Sequence, residues 1–190
     1  MNYLAHFYLV GGSPDALVGS LLGDFVKADD HADYPPEIQR AILIHRQIDS
    51  FTDAHPIVSR SKRHLSAIHR HTKGILVDLF YDHFLAANWG DYTTVPLAEF
   101  TRRVYQALTD HETILPHRAQ RMVPYMIDGD WLGSYTELDN IGLALKGLSR
   151  RLTRPNSLGQ GVADLQANYA ALQSDFRAFF PELVEYVATL

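Results

Sequence analysis

The sequence predicts an all-α fold, a single multi-helix domain over residues 1–190. Three observations predict it. Apolar residues recur at three- and four-residue spacing through nearly every segment, which is the period of one helix face. Alternating apolar and polar runs bounded by turn dipeptides, the mark of strands, are missing. A chain of 190 residues with 46% hydrophobic and 21% charged residues is also ordinary for a globular domain with a substantial core. The interior is expected to be built from helices crossing at varied angles, not from a simple four-helix bundle.

Asn2 to Val10 reads as a short apolar helix or extended segment closed by Gly11-Gly12. Ser13-Pro14-Asp15 then starts a helix, with Ser13 as N-cap and Pro14 at the first helical position. Leu17, Val18, Leu21, Leu22 and Phe25 carry that helix to about Lys27, although Gly23 beside Asp24 weakens it and permits a close approach to the backbone. Asp29 to Asp33 is a polar loop, and Pro35-Pro36 opens a helix running to about Thr52. After a turn at Asp53 to Pro56, Ile57 to His69 is expected as a basic helix and Lys73 to Trp89 as the central one. Pro96 to His111, Pro116 to Ile127 and Tyr135 to Leu152 follow as helices, with a tight turn at Asp128-Gly129-Asp130. The last helical stretch, Gly161 to Leu190, is expected to kink or restart at Pro181.

Composition excludes several function classes. With no cysteine there are no disulfides, thiolate zinc sites or cysteine nucleophiles. The apolar N-terminal stretch has no positive n-region and is interrupted by Asn2 and His6, so it is not read as a signal peptide. No run approaches the ~18 apolar residues of a membrane span, so a cytoplasmic protein with no membrane partner is expected. A net charge of -5 argues against a general nucleic-acid binder.

The chemistry lies in ionisable groups embedded in apolar segments. Asp78, Asp82 and His83 sit in Val77 to Ala86, with the two aspartates one helical turn apart and His83 about 100° further round. His45 and Asp49 are four residues apart, on a face shared with Ile38, Ala41 and Ile42. Asp24 lies among Leu21, Leu22, Phe25 and Val26, and His6 lies in Leu4-Ala5-His6-Phe7. Any one of these reads equally as a self-satisfied pair, a helix-end charge or a core histidine. Four separate helices repeating the anomaly shift the reading toward a site, because buried charges must be paired or coordinated. An excess of carboxylates with imidazole and no sulfur favours a divalent cation, with Mn²⁺ or Mg²⁺ the better match to several carboxylates. Such a set suits a metal-dependent phosphohydrolase, in which the ion activates water and a spare Asp or His serves as acid or base.

Two acid-free stretches bear on the partner. Ile57 to Val77 contains Arg60 and Arg63, and Asn140 to Ala163 contains Arg150, Arg151 and Arg154. On an acidic protein, this segregation reads either as solvated helix faces or as a positive patch that meets an acidic partner. The planar fork of arginine suits phosphate and carboxylate.

Four blocks of the chain together resemble the acyl carrier protein phosphodiesterases: Met1-Asn2-Tyr3-Leu4-Ala5-His6, Leu21-Leu22-Gly23-Asp24-Phe25-Val26-Lys27, the segment from Ile44 through His45 and Asp49 to Pro56, and the segment from Asp78 to Ala86. Ser149-Arg150-Arg151 with Arg154-Pro155 is a fifth, weaker block, and Ala28 stands where the family pattern has glycine. The resemblance implies a fold like a divergent HD-type metal phosphohydrolase. It also implies Mn²⁺- or Mg²⁺-dependent removal of 4′-phosphopantetheine from the serine of holo-acyl carrier protein. The family's catalytic aspartate maps onto Asp24, and His6, His45, Asp78 and His83 match positions of the metal site or its supports. The expected metal set is therefore His6, Asp24, His45, Asp49 and Asp78, and the expected catalytic set Asp24, Asp82 and His83. Arg60, Arg63, Arg150, Arg151 and Arg154 are expected to rim the cleft and dock the acidic carrier. Two other readings stand beside this one: an HD-type hydrolase of nucleotides or other small phosphate esters, and a helical binding protein whose His and Asp groups are structural pairs.

Overall fold

A computed structural model describes residues 1–27 and 30–190. Ala28, and Asp29 at the start of the polar loop, lie outside the described residues. All regular structure among the described residues is helical, as the periodicity predicts. The α-helices are α1 (Tyr3–Leu9), α2 (Pro14–Leu22), α3 (Pro36–Ala54), α4 (Pro56–His64), α5 (Lys73–Ala87), α6 (Leu97–Asp110), α7 (His117–Asp128), α8 (Trp131–Ser134), α9 (Leu138–Arg151), α10 (Gly161–Ala167) and α11 (Tyr169–Val187), with short 3-10 turns between some of them.

The centre is α5. From Leu76 to Ala86 every residue except Asp78 is buried, and a helix apolar on all sides belongs inside. Helices α1, α4, α9 and α11 pack around it. Helix α2 lies closely along α3, because a Cβ at Gly19 would come within 2.5 Å of the Ile38 carbonyl oxygen and 2.6 Å of the Ala41 Cβ. That contact matters for function, since α3 carries His45 and Asp49 while Asp24 follows the end of α2.

The element boundaries depart from expectation where a local cap outweighs the apolar period. Helix α2 has the predicted Ser13 cap, whose Oγ accepts from the Ala16 amide at 3.1 Å, but it stops at Leu22 and leaves Asp24 in a turn. The predicted basic helix ends at His64, and a 3-10 turn at Ala67–His69 follows it. His69 is buried there, with Nδ1 2.7 Å from the Ser157 hydroxyl and Nε2 3.4 Å from Asp164. Helix α8, unanticipated in the sequence, is capped by Asp130, which adopts φ 39° and accepts from the Gly133 amide at 3.3 Å. The final stretch breaks at Asn168 and then runs continuously through Pro181. Pro181 is on the exposed side, as is Arg177 one turn earlier, so water can satisfy the carbonyl that loses its helical donor.

Candidate active site

The site is assembled on the N-terminal segment. No side chain of that segment caps α1. The carboxylate of Asp82 does so from α5, accepting from the Leu4 amide at 2.8 Å and the Ala5 amide at 3.1 Å. This pins the start of α1 to the central helix and sets His6 beside α3. The His6 ring stacks on His45, with centroids 3.7 Å apart and planes inclined by 12°. Both Nε2 atoms meet the same carboxylate. His6 is 3.1 Å from Asp49 Oδ1 and His45 is 3.3 Å from Asp49 Oδ2. His45 Nε2 is also 3.5 Å from Asp24 Oδ1. Gly23 makes room for this ring, since a Cβ there would meet His45 carbons at 2.3–2.7 Å. The amino group of Met1 lies 3.4 Å from Asp49 and 3.2 Å from Asp78.

The charges balance in a definite way. Burial lowers the pKa of His6 to about 4, so its ring is neutral. Burial opposes charge on His45 too, but the Asp24 and Asp49 carboxylates outweigh it and raise that ring to about 9. Two stacked imidazoles thus avoid carrying two like charges. Burial also opposes charge on Asp49, yet His45, His6 and the Met1 amine hold its carboxyl well below the usual range. Asp78 is pushed up by burial, against the pull of the Met1 amine. The Met1 amine is in turn held above its usual range by Asp78 and Asp49, against burial.

His6, His45 and Asp49 each offer a ligand atom within 4.8 Å of one another. Two imidazole nitrogens, a shared carboxylate and the neighbouring Asp24 form a mixed N,O donor set that fits a first-row divalent ion or Mg²⁺. The proton on His45 and the Met1 ammonium supply positive charge at the place where such an ion would supply it. Ligating histidines ordinarily hand their other ring nitrogen to a carbonyl or carboxylate. Here both Nδ1 atoms are buried without a partner among the described residues, so stacking and the space left by Gly23 orient the rings instead.

The other expected site residues fall elsewhere. Asp82 is fully buried, spends both oxygens on α1 amides, and is pushed up to about 7 by burial. His83 turns away from the cluster, with Nδ1 2.8 Å from the Tyr135 carbonyl and Nε2 3.0 Å from the Tyr169 hydroxyl. The polar atoms of both side chains are thus engaged within the protein, away from the His6–His45–Asp49 cluster. Arg60 is taken up by Asp175, with Nη2 and Nε at 2.6 and 2.7 Å, in a network with Ser61 and Tyr81 that ties α4 to α11. Arg63 is exposed on α4, and Arg150 and Arg154 are exposed at and beyond the end of α9.

Arg151 is placed differently. A polar cavity of about 540 Å³ opens beside the cluster, lined by Asp24, Tyr3, Arg118, Arg121, Tyr125 and Arg151. A second cavity of about 310 Å³ lies between α8 and α9 and shares Tyr3 and Arg151 with the first. Sequence reasoning missed Arg118 and Arg121. They lie three apart on α7, in a stretch from 113 to 127 that contains no acid, so the criterion that singled out Asn140 to Ala163 applies to them as well.

Over residues 1–183 the chain matches the family model described as acyl carrier protein phosphodiesterase. It is similar to proteins of that name from several bacteria. The identity is 34% to the one from Serratia proteamaculans, 32% to that from Yersinia pestis and 34% to that from an Escherichia coli O6:H1 strain. Each similarity covers 97% of this chain and 96% of the relative. No solved structure matches the chain.

Proposed function

The chain belongs to the acyl carrier protein phosphodiesterase family, and from that premise and the site geometry we propose that it hydrolyses the phosphodiester joining 4′-phosphopantetheine to the serine of holo-acyl carrier protein. The oxygen of water bonds to phosphorus, the bond from phosphorus to the serine oxygen breaks, and that oxygen takes a proton. The products are apo-carrier protein and 4′-phosphopantetheine. One observation carries the reading: Asp24, which meets His45 in the His–Asp cluster, also lines a cavity walled by three arginines.

In this proposal His6, His45, Asp49 and Asp24 would hold Mn²⁺ or Mg²⁺, whereas Asp78, expected in the same set, meets the Met1 amine at 3.2 Å. Such an ion would supply Lewis-acid activation of water and charge neutralisation at the phosphoryl group. Arg118, Arg121 and Arg151 grip the non-bridging oxygens and orient the diester. Asp24 turns Oδ1 toward His45, leaving its other oxygen to hold the proton given up by the attacking water. The hydroxyl of Tyr3 is kept protonated by burial. Its partner is the Met122 thioether, a weak acceptor at 3.5 Å, so it is available to donate to a phosphoryl oxygen. The basic rim also suits a small acidic carrier protein, and a cytoplasmic setting is consistent with such a substrate.

The test is turnover of holo-carrier to apo-carrier with Mn²⁺, alongside electron paramagnetic resonance of bound Mn²⁺. The expected result is one tightly bound ion per chain, activity abolished by EDTA and restored by Mn²⁺, and loss of both ion and activity in His45→Ala. Turnover of small phosphodiesters with none of holo-carrier would instead favour the small-ester hydrolase.

A further inference from the structure

The geometry points to the cavity between α8 and α9 as the seat of the substrate's prosthetic arm, kept open by Gly147. This inference rests on the proposed reaction and adds where the non-reacting part of the substrate binds.

Gly147 is the starting observation. It lies in the interior of α9, where glycine costs about 1 kcal/mol relative to alanine. At Gly19, inside α2, the reason for glycine is a close contact, since a Cβ there would strike Ile38 and Ala41. At Gly147 a Cβ would meet nothing within 4 Å, and the backbone is ordinary helix. The space beside it is the cavity of about 310 Å³, whose apolar wall includes Trp131, Leu143, Ala144 and Leu148. The missing side chain therefore widens a cavity and relieves no contact within the protein.

The cavity is built for a chain that is neutral but not wholly apolar. Asn2 and Asn140 line it, and each donates one amide hydrogen within the protein, to the Tyr135 hydroxyl at 3.3 Å and the Ser134 carbonyl at 3.1 Å. Each carboxamide keeps its oxygen as an acceptor and a second N–H as a donor, the complement of a ligand amide. A pantetheine arm has that chemistry: two amides and a gem-dimethyl group along a flexible chain, with charge only at its phosphoryl end. The volume is at the low end of the roughly 300–1,000 Å³ typical of ligand pockets. The two cavities adjoin, sharing Tyr3 and Arg151 in their linings, so the space beside Asp24 for an anionic end and the space between α8 and α9 for a neutral arm are neighbours. Trp131 walls the arm cavity, and the Arg151 guanidinium, which lines both cavities, stands over its ring at 5.2 Å in a cation–π contact.

The test fills the cavity from Gly147. Free 4′-phosphopantetheine is titrated calorimetrically into the Mn²⁺-loaded wild type, Gly147→Leu and Gly147→Phe, and KM for holo-carrier is measured on each. Both replacements are expected to keep the wild-type Mn²⁺ stoichiometry and a melting temperature no lower than wild type. They are also expected to weaken phosphopantetheine binding by about tenfold or more and to raise KM by a similar factor, with phenylalanine worse than leucine. Wild-type binding and KM in both variants, or no binding by the wild type at millimolar ligand, overturns the assignment. Binding that the variants lose, in a protein that does not hydrolyse holo-carrier with any metal, leaves the cavity assigned and overturns the proposed reaction instead.

Discussion

At the scale of single residues, the cluster depends on a few groups that have no substitute. Gly23 is required for space, since any Cβ there overlaps the buried His45 ring. Gly23→Ala is expected to destabilise the fold by about 1–3 kcal/mol through overpacking, and to lower Mn²⁺ affinity because the displaced ring is a proposed ligand. A denaturation midpoint and Mn²⁺ affinity equal to wild type would contradict this. Tyr3→Phe removes only the hydroxyl between the two cavities. The proposal predicts that kcat/KM for holo-carrier falls by about tenfold, the worth of one hydrogen bond to a charged group, with the melting temperature unchanged. Unchanged kinetics would remove Tyr3 from the phosphoryl site.

At the scale of elements, α1 is held in place by α5. Both Asp82 oxygens satisfy α1 amides, so Asp82→Ala leaves two buried donors unpaired. The expected cost is about 2–4 kcal/mol in urea unfolding, and a loss below 1 kcal/mol would show that α1 is anchored otherwise. The pH dependence has a definite sign. Burial keeps the folded Asp82 protonated up to about 7, whereas the unfolded side chain ionises near 3.8. The folded state therefore binds the extra proton between those values, and this residue's contribution to stability falls as pH rises from about 4 to about 7. Asp82→Asn should remove that component, which is read as the difference between the two proteins' stability profiles. The sequence shows that Asp82 and His83 lie in an apolar helix and so must find partners. It does not show that those partners are backbone groups, the α1 amides and the Tyr135 carbonyl. Helix boundaries have the same limit: the apolar period locates α3, α5 and α6, while the break at Asn168 and the short α8 depend on turns and caps that periodicity does not report.

At the scale of the whole molecule, an acidic chain brings three arginines together at one cavity. Arg118 and Arg121 come from α7 and Arg151 from α9, 30 or more positions apart, and only folding brings them together beside Asp24. Scanning one stretch at a time can flag each acid-free stretch, but not that the two converge beside Asp24. The gathering of His6, Asp24, His45 and Asp49 is more legible, because an ionisable group set in an apolar segment stands out locally; in the fold only the two histidines are buried, and Asp24 is exposed at the cavity. If the rim steers an acidic carrier, kcat/KM should fall with added salt, by about tenfold between low and moderately high ionic strength. Charge reversal at Arg118 and Arg121, or at Arg150 and Arg151, should raise KM without altering Mn²⁺ stoichiometry. A rate indifferent to salt and to both reversals would leave the arginines as ordinary surface. The most direct measurement of the central claim is the intact mass of holo-acyl carrier protein after incubation with this protein and Mn²⁺, with EDTA and with Asp24→Ala in parallel. The account predicts loss of the phosphopantetheine mass with the wild type and Mn²⁺, and an unchanged carrier in the other two. A carrier that keeps its mass with the wild type and every divalent metal, or loses it equally with Asp24→Ala, would contradict it.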